Sequence, residues 1–202
     1  MSANLLWDEG SAWAPCMGQG PASGDRAFLW RDKVRWRALV VDVSGHGQHA
    51  QAVAERIAEA EPLDGVRALT EVVASLHRLL QGTVGAAAMA VEMFRIAPAV
   101  WRLTAAGVGN VRLWVDAKPL WQFDGQPGLL GSHLPSIVRL QERSLCPHDR
   151  VVIVTDGIRS EARAHISQAV PNARHLAADL LDRYARPHDD AICVAVMLRE
   201  ER

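Results

Sequence analysis

Asp42, Asp156 and the pair Asp189 and Asp190 each stand at one end of an apolar run, in LVVDVSGHG, VVIVTDG and HDDAICVAVML. A buried strand that stops at an aspartate beside a small residue delivers a carboxylate to the rim of a core with no bulky neighbour in the way. Magnesium and manganese are hard cations that prefer carboxylate, carbonyl and water oxygens. Two of them held ~3.5–4 Å apart can activate a water and clamp a phosphoryl group. A single strand-end aspartate is more often a turn former or a helix N-cap than a ligand. Three together, with Asp25 as a fourth, reverse those odds and predict a metal site.

Other chemistries find less support. Ser44 does not sit in GxSxG, because the residue two before it is Asp42, so a serine-hydrolase elbow is not expected. His46 and His49 are three apart but lack an HExxH motif and a third soft ligand, and read as solvated or turn histidines rather than zinc ligands. His148 and Asp149 follow Pro147 in a turn, and His188 is a loop residue ahead of Asp189. Gly107-Val108-Gly109-Asn110 lacks the lysine and hydroxyl of a P-loop and reads as a tight turn between strands. The three cysteines, Cys16, Cys146 and Cys193, are an odd, widely spaced set without CxxC. They indicate neither a disulfide framework nor a zinc site, which suits a reducing cytoplasm. The tryptophans, among them Trp30, Trp36, Trp101, Trp114 and Trp121, fall mostly at strand positions and are expected in core or rim packing.

A chain of 202 residues, 49% hydrophobic and 22% charged, can bury one sizeable core, and a single domain over 1–202 is expected. A net charge of -1 gives no concentrated basic surface, so neither nucleic acid nor anionic membrane is an expected partner. The N-terminus has no basic start followed by an apolar core, and no apolar stretch approaches the ~18 residues that span a bilayer. These features predict a cytoplasmic protein.

The elements that must position the aspartates follow from periodicity. Arg26 to Trp30 and Val34 to Val41 form a hairpin about Arg31-Asp32-Lys33, with Val34, Trp36, Ala38 and Val40 on one face. Two helices follow, one marked by Ala50, Val53, Ile57 and Ala60, the next by Val66, Leu69, Val73, Leu76 and Leu80. The middle is β-rich, with runs at Ala86 to Ile96, Val100 to Ala106 and Val111 to Val115 read as antiparallel neighbours joined by short turns. Lys118 to Pro135 is too punctuated by glycine and proline for a regular element and reads as a loop near a sheet rim. Val151 to Thr155 is a buried strand, Leu176, Leu180, Leu181 and Tyr184 mark a late helix, and Ala191 to Leu198 is a final strand. Strands in runs with helices inserted in pairs argue for an α+β fold with antiparallel sheets.

The order and wording of these segments resemble the metal-dependent, type 2C-like serine/threonine phosphatases, specifically their bacterial branch of sporulation and general-stress regulators. The matching pieces are Ser23-Gly24-Asp25, Val41-Asp42-Val43-Ser44-Gly45-His46-Gly47, Gly82-Thr83-Val84-Gly85-Ala86, Gly107-Val108-Gly109-Asn110, Thr155-Asp156-Gly157-Ile158 and Asp189-Asp190-Ala191. They run from about residue 20 to the end of the chain.

The resemblance implies an antiparallel β-sandwich flanked by helices, four layers deep, with two Mn2+ or Mg2+ ions at one end. It implies that Asp42 bridges both ions with the Val43 carbonyl as a further ligand, that Asp156 and Asp189 hold one ion, and that Asp25 orients waters on the other. Asp190, Gly45 and Gly157 would support these ligands. The eukaryotic type 2C enzymes carry a histidine two residues after the bridging aspartate, where this chain has Ser44. For His46, two residues further on, packing of the glycine turn is favoured over a general-acid role. No arginine precedes Asp25 at the place of the eukaryotic phosphate-binding one, so the metals are expected to hold the phosphate largely alone. At this length no sensor domain is expected, and the chain looks like the short, stand-alone phosphatase of stressosome systems. The implied substrates are phosphorylated STAS-domain proteins, opposed by an anti-sigma-type kinase. The rival readings are a pseudophosphatase that docks a phosphoprotein without turnover and a hydrolase of small phosphate esters.

Overall fold

The computed structural model describes residues 7–18, 20–63 and 68–200. One sheet holds β2 (Arg26–Arg31), β3 (Arg35–Val43), β4 (Ala86–Ala97), β5 (Val100–Val108) and β8 (Gln141–Leu145), in the order β2-β3-β4-β5-β8. The other holds β1 (Trp7–Ala14), β6 (Arg112–Asp116), β7 (Trp121–Asp124), β9 (Arg150–Val154) and β10 (Ala191–Leu198), in the order β1-β10-β9-β6-β7. Every strand pair is antiparallel. Helices α1 (Gly47–Glu59) and α2 (Leu69–Leu79) lie against the first sheet, and α3 (Ala173–Tyr184) lies against the second. The four-layer α+β sandwich expected from the sequence is the observed architecture.

Strand β3 shows why the chain folds this way. Its even residues Trp36, Ala38 and Val40 enter the core between the sheets, while Leu39, Val41 and Val43 face the helices with Ile57, Val73 and Leu76. A strand buried on both faces must be apolar on both, which is how LVV reads just before Asp42. Across the central core Trp7 meets Trp101 edge to face, with ring centroids 5.4 Å apart. Truncating either to alanine is worth about 3–5 kcal/mol. The expected hairpin forms with Arg26 opposite Val41, and Asp32 Oδ1 accepts from the Val34 and Arg35 amides in its turn. Both early helices form, although Val66 of the second stripe lies outside the described residues.

Three sequence expectations change. Trp7–Ala14, for which the periodicity names no element, is an edge strand paired along its whole length with β10. The Lys118 to Pro135 loop contains β7, whose alternation is carried by only four residues against β6. Gly107 to Asn110 does not join neighbours in one sheet: β5 and β6 belong to different sheets, so this turn crosses the sandwich. The polar edge strand β8, largely exposed, offered no apolar pattern to read.

Candidate metal centre

Strand direction gathers the aspartates. Asp25 immediately precedes β2, Asp42 is the penultimate residue of β3, Asp156 follows β9, and Asp189 lies just ahead of β10. Since β2 runs against β3 and β9 against β10, all four positions fall at one end of the sandwich. The crossing turn after β5 brings Asn110 there too, and its Nδ2 donates to Asp156 Oδ2 at 2.6 Å.

The supports are local and specific. Thr155 Oγ1 donates to Asp25 Oδ2 at 2.6 Å and accepts from the Ile192 amide at 3.0 Å, tying β2, β9 and β10 together beneath the site. Asp190 is buried, with Oδ1 accepting from the Cys16 amide and Oδ2 from the Gly24 amide, both at 2.8 Å. One oxygen thus holds the residue before Asp25, and the other the chain leaving β1. A Cβ on Gly157 would stand 1.9 Å from the Asp190 carbonyl oxygen. Only glycine lets the TDG turn lie this close to the strand that follows Asp189. Gly45, with φ +91°, supplies the left-handed bend between Asp42 and α1.

Asp42, Asp156, Asp189, Asn110, Ser44 and His46 share the wall of a cleft of about 670 Å³. Asp25 lies beneath it, 3% exposed. Burial pushes the Asp42 carboxyl up to about 9, with the charges of Asp25 and Asp156 adding to the effect. Burial likewise lifts Asp25 to about 8 against the opposing Thr155 hydrogen bond, and Asp190, Asp189 and Asp156 reinforce the rise. Asp189 is raised by burial and then by Asp156. Carboxylates crowded in this way cannot all ionise without a compensating positive charge. Among the described residues no three His, Cys, Asp or Glu side chains form a ready-made cage for one cation. The donor set still fits magnesium or manganese, because such ions bind through one or two carboxylates each and keep several waters.

The family model described as Stage II sporulation protein E (SpoIIE) matches residues 32–201. The chain belongs to the SpoIIE family. The matched span includes Asp42, Asn110, Asp156 and Asp189, while Asp25 precedes it. Among solved structures, one described with the bacterial stressosome, a modular system adapted to control secondary messenger signalling, is 26% identical with a TM-score of 0.83, over 94% of this chain and 98% of that one. RsbX in complex with magnesium is 19% identical with a TM-score of 0.81, over 96% of each chain. The PP2C phosphatase domain of SpoIIE from Bacillus subtilis, solved with a fragment of its regulatory domain, is 15% identical with a TM-score of 0.80, over 97% of this chain and 64% of that one. No curated protein matches the chain. The fold is that of the PP2C phosphatases, in their sporulation and stress branch.

Within this SpoIIE-family site, three residues escaped the sequence. Asn110 closes a motif that reads as a mere turn, and its bond to Asp156 exists only because that turn crosses between sheets. Arg112 and Arg186 join Asp156 and Asp189 in a second cleft of about 580 Å³, where the sequence predicted phosphate held by metals largely alone. Arg112 donates to the Ile158 carbonyl at 2.6 Å, and Arg186 Nε donates to the Asp156 carbonyl at 3.1 Å. His46 is expected from the sequence to support the glycine turn rather than act as an acid. It is the N-cap residue of α1, exposed at the cleft, and its ring makes no hydrogen bond among the described residues.

Proposed function

We propose that this protein is a metal-dependent phosphoprotein phosphatase, a single domain over 1–202, that hydrolyses phosphoserine or phosphothreonine on STAS-domain regulatory proteins in the cytoplasm. The observation that carries the reading is the convergence of Asp42, Asp156 and Asp189 on one cleft above the buried Asp25. In this reading Asp42 and the Val43 carbonyl would hold both of two Mn2+ or Mg2+ ions, Asp156 and Asp189 would hold one of them, and Asp25 would orient waters near the other. Such ions, when bound, acidify a water and offset the charge on the phosphoryl oxygens.

The chain's own contribution is placement. Asn110 fixes the Asp156 carboxylate, Thr155 fixes Asp25, and Asp190 with Gly157 keeps the two strand ends together. These contacts hold the donors rigidly, so little reorganisation accompanies ion binding. His46 and Asn110 are exposed at the rim and Asp156 and Asp189 only half-buried, a shallow site suited to phosphate presented on a protein surface. The membership in the SpoIIE family and the likeness to a stressosome structure favour a STAS-domain substrate over a small ester. No helix among the described residues is long and apolar enough to cross a membrane.

The test is hydrolysis of phosphorylated STAS-domain proteins from the same genome, alongside an aryl phosphate, with manganese added or chelated. Turnover of both with manganese and loss of both with chelator is the expected result. Full activity in excess chelator would defeat the metal-dependent reading, and binding of the phosphoproteins without turnover would make the protein a pseudophosphatase.

A further inference from the structure

Beside the aspartates runs a groove of about 580 Å³ walled by the guanidinium groups of Arg159 and Arg186 and by His188, ending at Asp189. Its backbone is a short antiparallel seam between the TDGI turn and the chain leaving α3: the Arg159 amide donates to the Tyr184 carbonyl at 3.0 Å and the Arg186 amide to the Gly157 carbonyl at 2.7 Å. Both guanidinium groups are held in place. Arg186 is fixed by the Asp156 carbonyl, and Arg159 by the Arg183 carbonyl at 2.6 Å and by the Tyr184 ring, 5.7 Å from its centroid. Among the described residues neither arginine forms an ion pair, although both side chains are exposed. The carboxylate in the groove, Asp189, faces the metal centre as well.

We propose that this groove is a specificity site that binds an acidic side chain of the phosphorylated protein segment, a glutamate or aspartate close to the phosphoresidue. The inference rests on the phosphatase reading, since it is the phosphoryl group over Asp42, Asp156 and Asp189 that brings the flanking residue into the groove. A fixed pair of guanidinium groups with donors to spare is complementary to a carboxylate, because the planar fork matches two oxygens and little side-chain freedom remains to be lost. The pairing is charge-assisted but solvent-exposed, so it selects among substrates rather than dominating affinity.

The experiment uses the full chain with manganese and three phosphoserine peptides that differ only near the phosphoserine, carrying glutamates, glutamines or lysines. The glutamate peptide is expected to have a kcat/KM roughly 3- to 10-fold above the glutamine peptide, mainly through KM, with the advantage shrinking as salt rises. In Arg159→Glu, and independently in Arg186→Glu, the preference should invert in favour of the lysine peptide. A change of sign is something a merely structural role could not produce. Equal rates for all three peptides in the wild type would overturn the proposal. So would Arg186→Glu and Arg159→Glu variants that lose all peptides in equal proportion, which would assign the arginines to the transferred phosphoryl group or to support of the Asp156 turn. If no peptide is hydrolysed, it is the phosphatase reading that fails, and anisotropy of the same labelled peptides still decides the groove: tighter binding of the glutamate form supports it, and equal binding ends it.

Discussion

Arg37 and Glu92 face each other across β3 and β4 on the side of Leu39 and Val41, and form an ion pair with the Arg37 side chain 5% exposed. Asp25 is likewise shielded from water and Asp42 is half-buried at the cleft, yet no basic side chain among the described residues forms an ion pair with either. The first region balances its charge inside the chain, whereas the second leaves several carboxylates to repel one another. A folded chain tolerates such an imbalance at a cost in stability. Left to themselves these carboxyls hold protons, and ionising all of them calls for a positive partner of the kind the proposed ions would supply. The comparison separates charge kept for the fold from charge kept for a ligand.

The largest effect should come from Asp42→Asn. The rate on phosphoprotein with manganese should fall at least ~100-fold, since a ligand and its charge vanish together. Thermal melting in chelator should hold or rise, because one repelling carboxylate has gone. A variant that loses activity only by unfolding would erase the distinction drawn above. Glu92→Gln should behave oppositely, destabilising the protein by about 3 kcal/mol in denaturant titration, because a buried ion pair loses its carboxylate charge. Destabilisation no greater than that of an exposed glutamate would show that the pair does not support the fold.

Asn110→Ala sharpens the contrast within the acidic end. Losing the hydrogen bond that orients Asp156 should weaken manganese binding, read by calorimetry, by roughly 10-fold with little change in melting temperature. An unchanged manganese affinity would remove Asn110 from the site. The smallest effect is on pH dependence in chelator. Asp25 and Asp42 have folded pKa values of about 8 and 9, above their unfolded values, so between roughly pH 4 and 8 the folded state binds more protons than the unfolded one. Stability is therefore fully present at the acidic side and lost as pH rises through the folded values. Melting temperature should fall by several degrees from pH 5.5 to 8.5, and Asp42→Asn should flatten the slope. A wild-type curve that rises over this interval would show the carboxylates to be balanced after all.

How far the sequence reached depends on what each residue answers to. The hairpin about Asp32, the two stripes of α1 and α2, and the apolar runs of β9 and β10 were legible because alternation and helical spacing are local consequences of burial. So were Asp42, Asp156 and Asp189, since each ends such a run beside a small residue or another aspartate. Trp7–Ala14 was not legible: an edge strand under α3 needs only one buried face and takes its identity from pairing with β10. Gln141–Leu145 failed for the same reason, being held by β5 while its side chains, Leu145 apart, largely meet water.

The alternating strands, the amphipathic helices and the membership of the acidic set follow from residue order alone, because side-chain polarity along a strand or helix follows from which face is buried. Partnership across the chain depends on the assembled fold. That the 107–110 turn crosses from one sheet to the other, so that Asn110 reaches Asp156, is a matter of sheet order and has no local signature. That Asp190 turns inward to the Cys16 and Gly24 amides while its neighbour Asp189 opens on the cleft is decided by which backbone donors stand within hydrogen-bonding reach. Arg159 and Arg186 lie 27 positions apart in the chain and share a groove because the chain leaving α3 pairs with the TDGI turn. Polarity is written residue by residue, but proximity across the chain is created only when the strands pair.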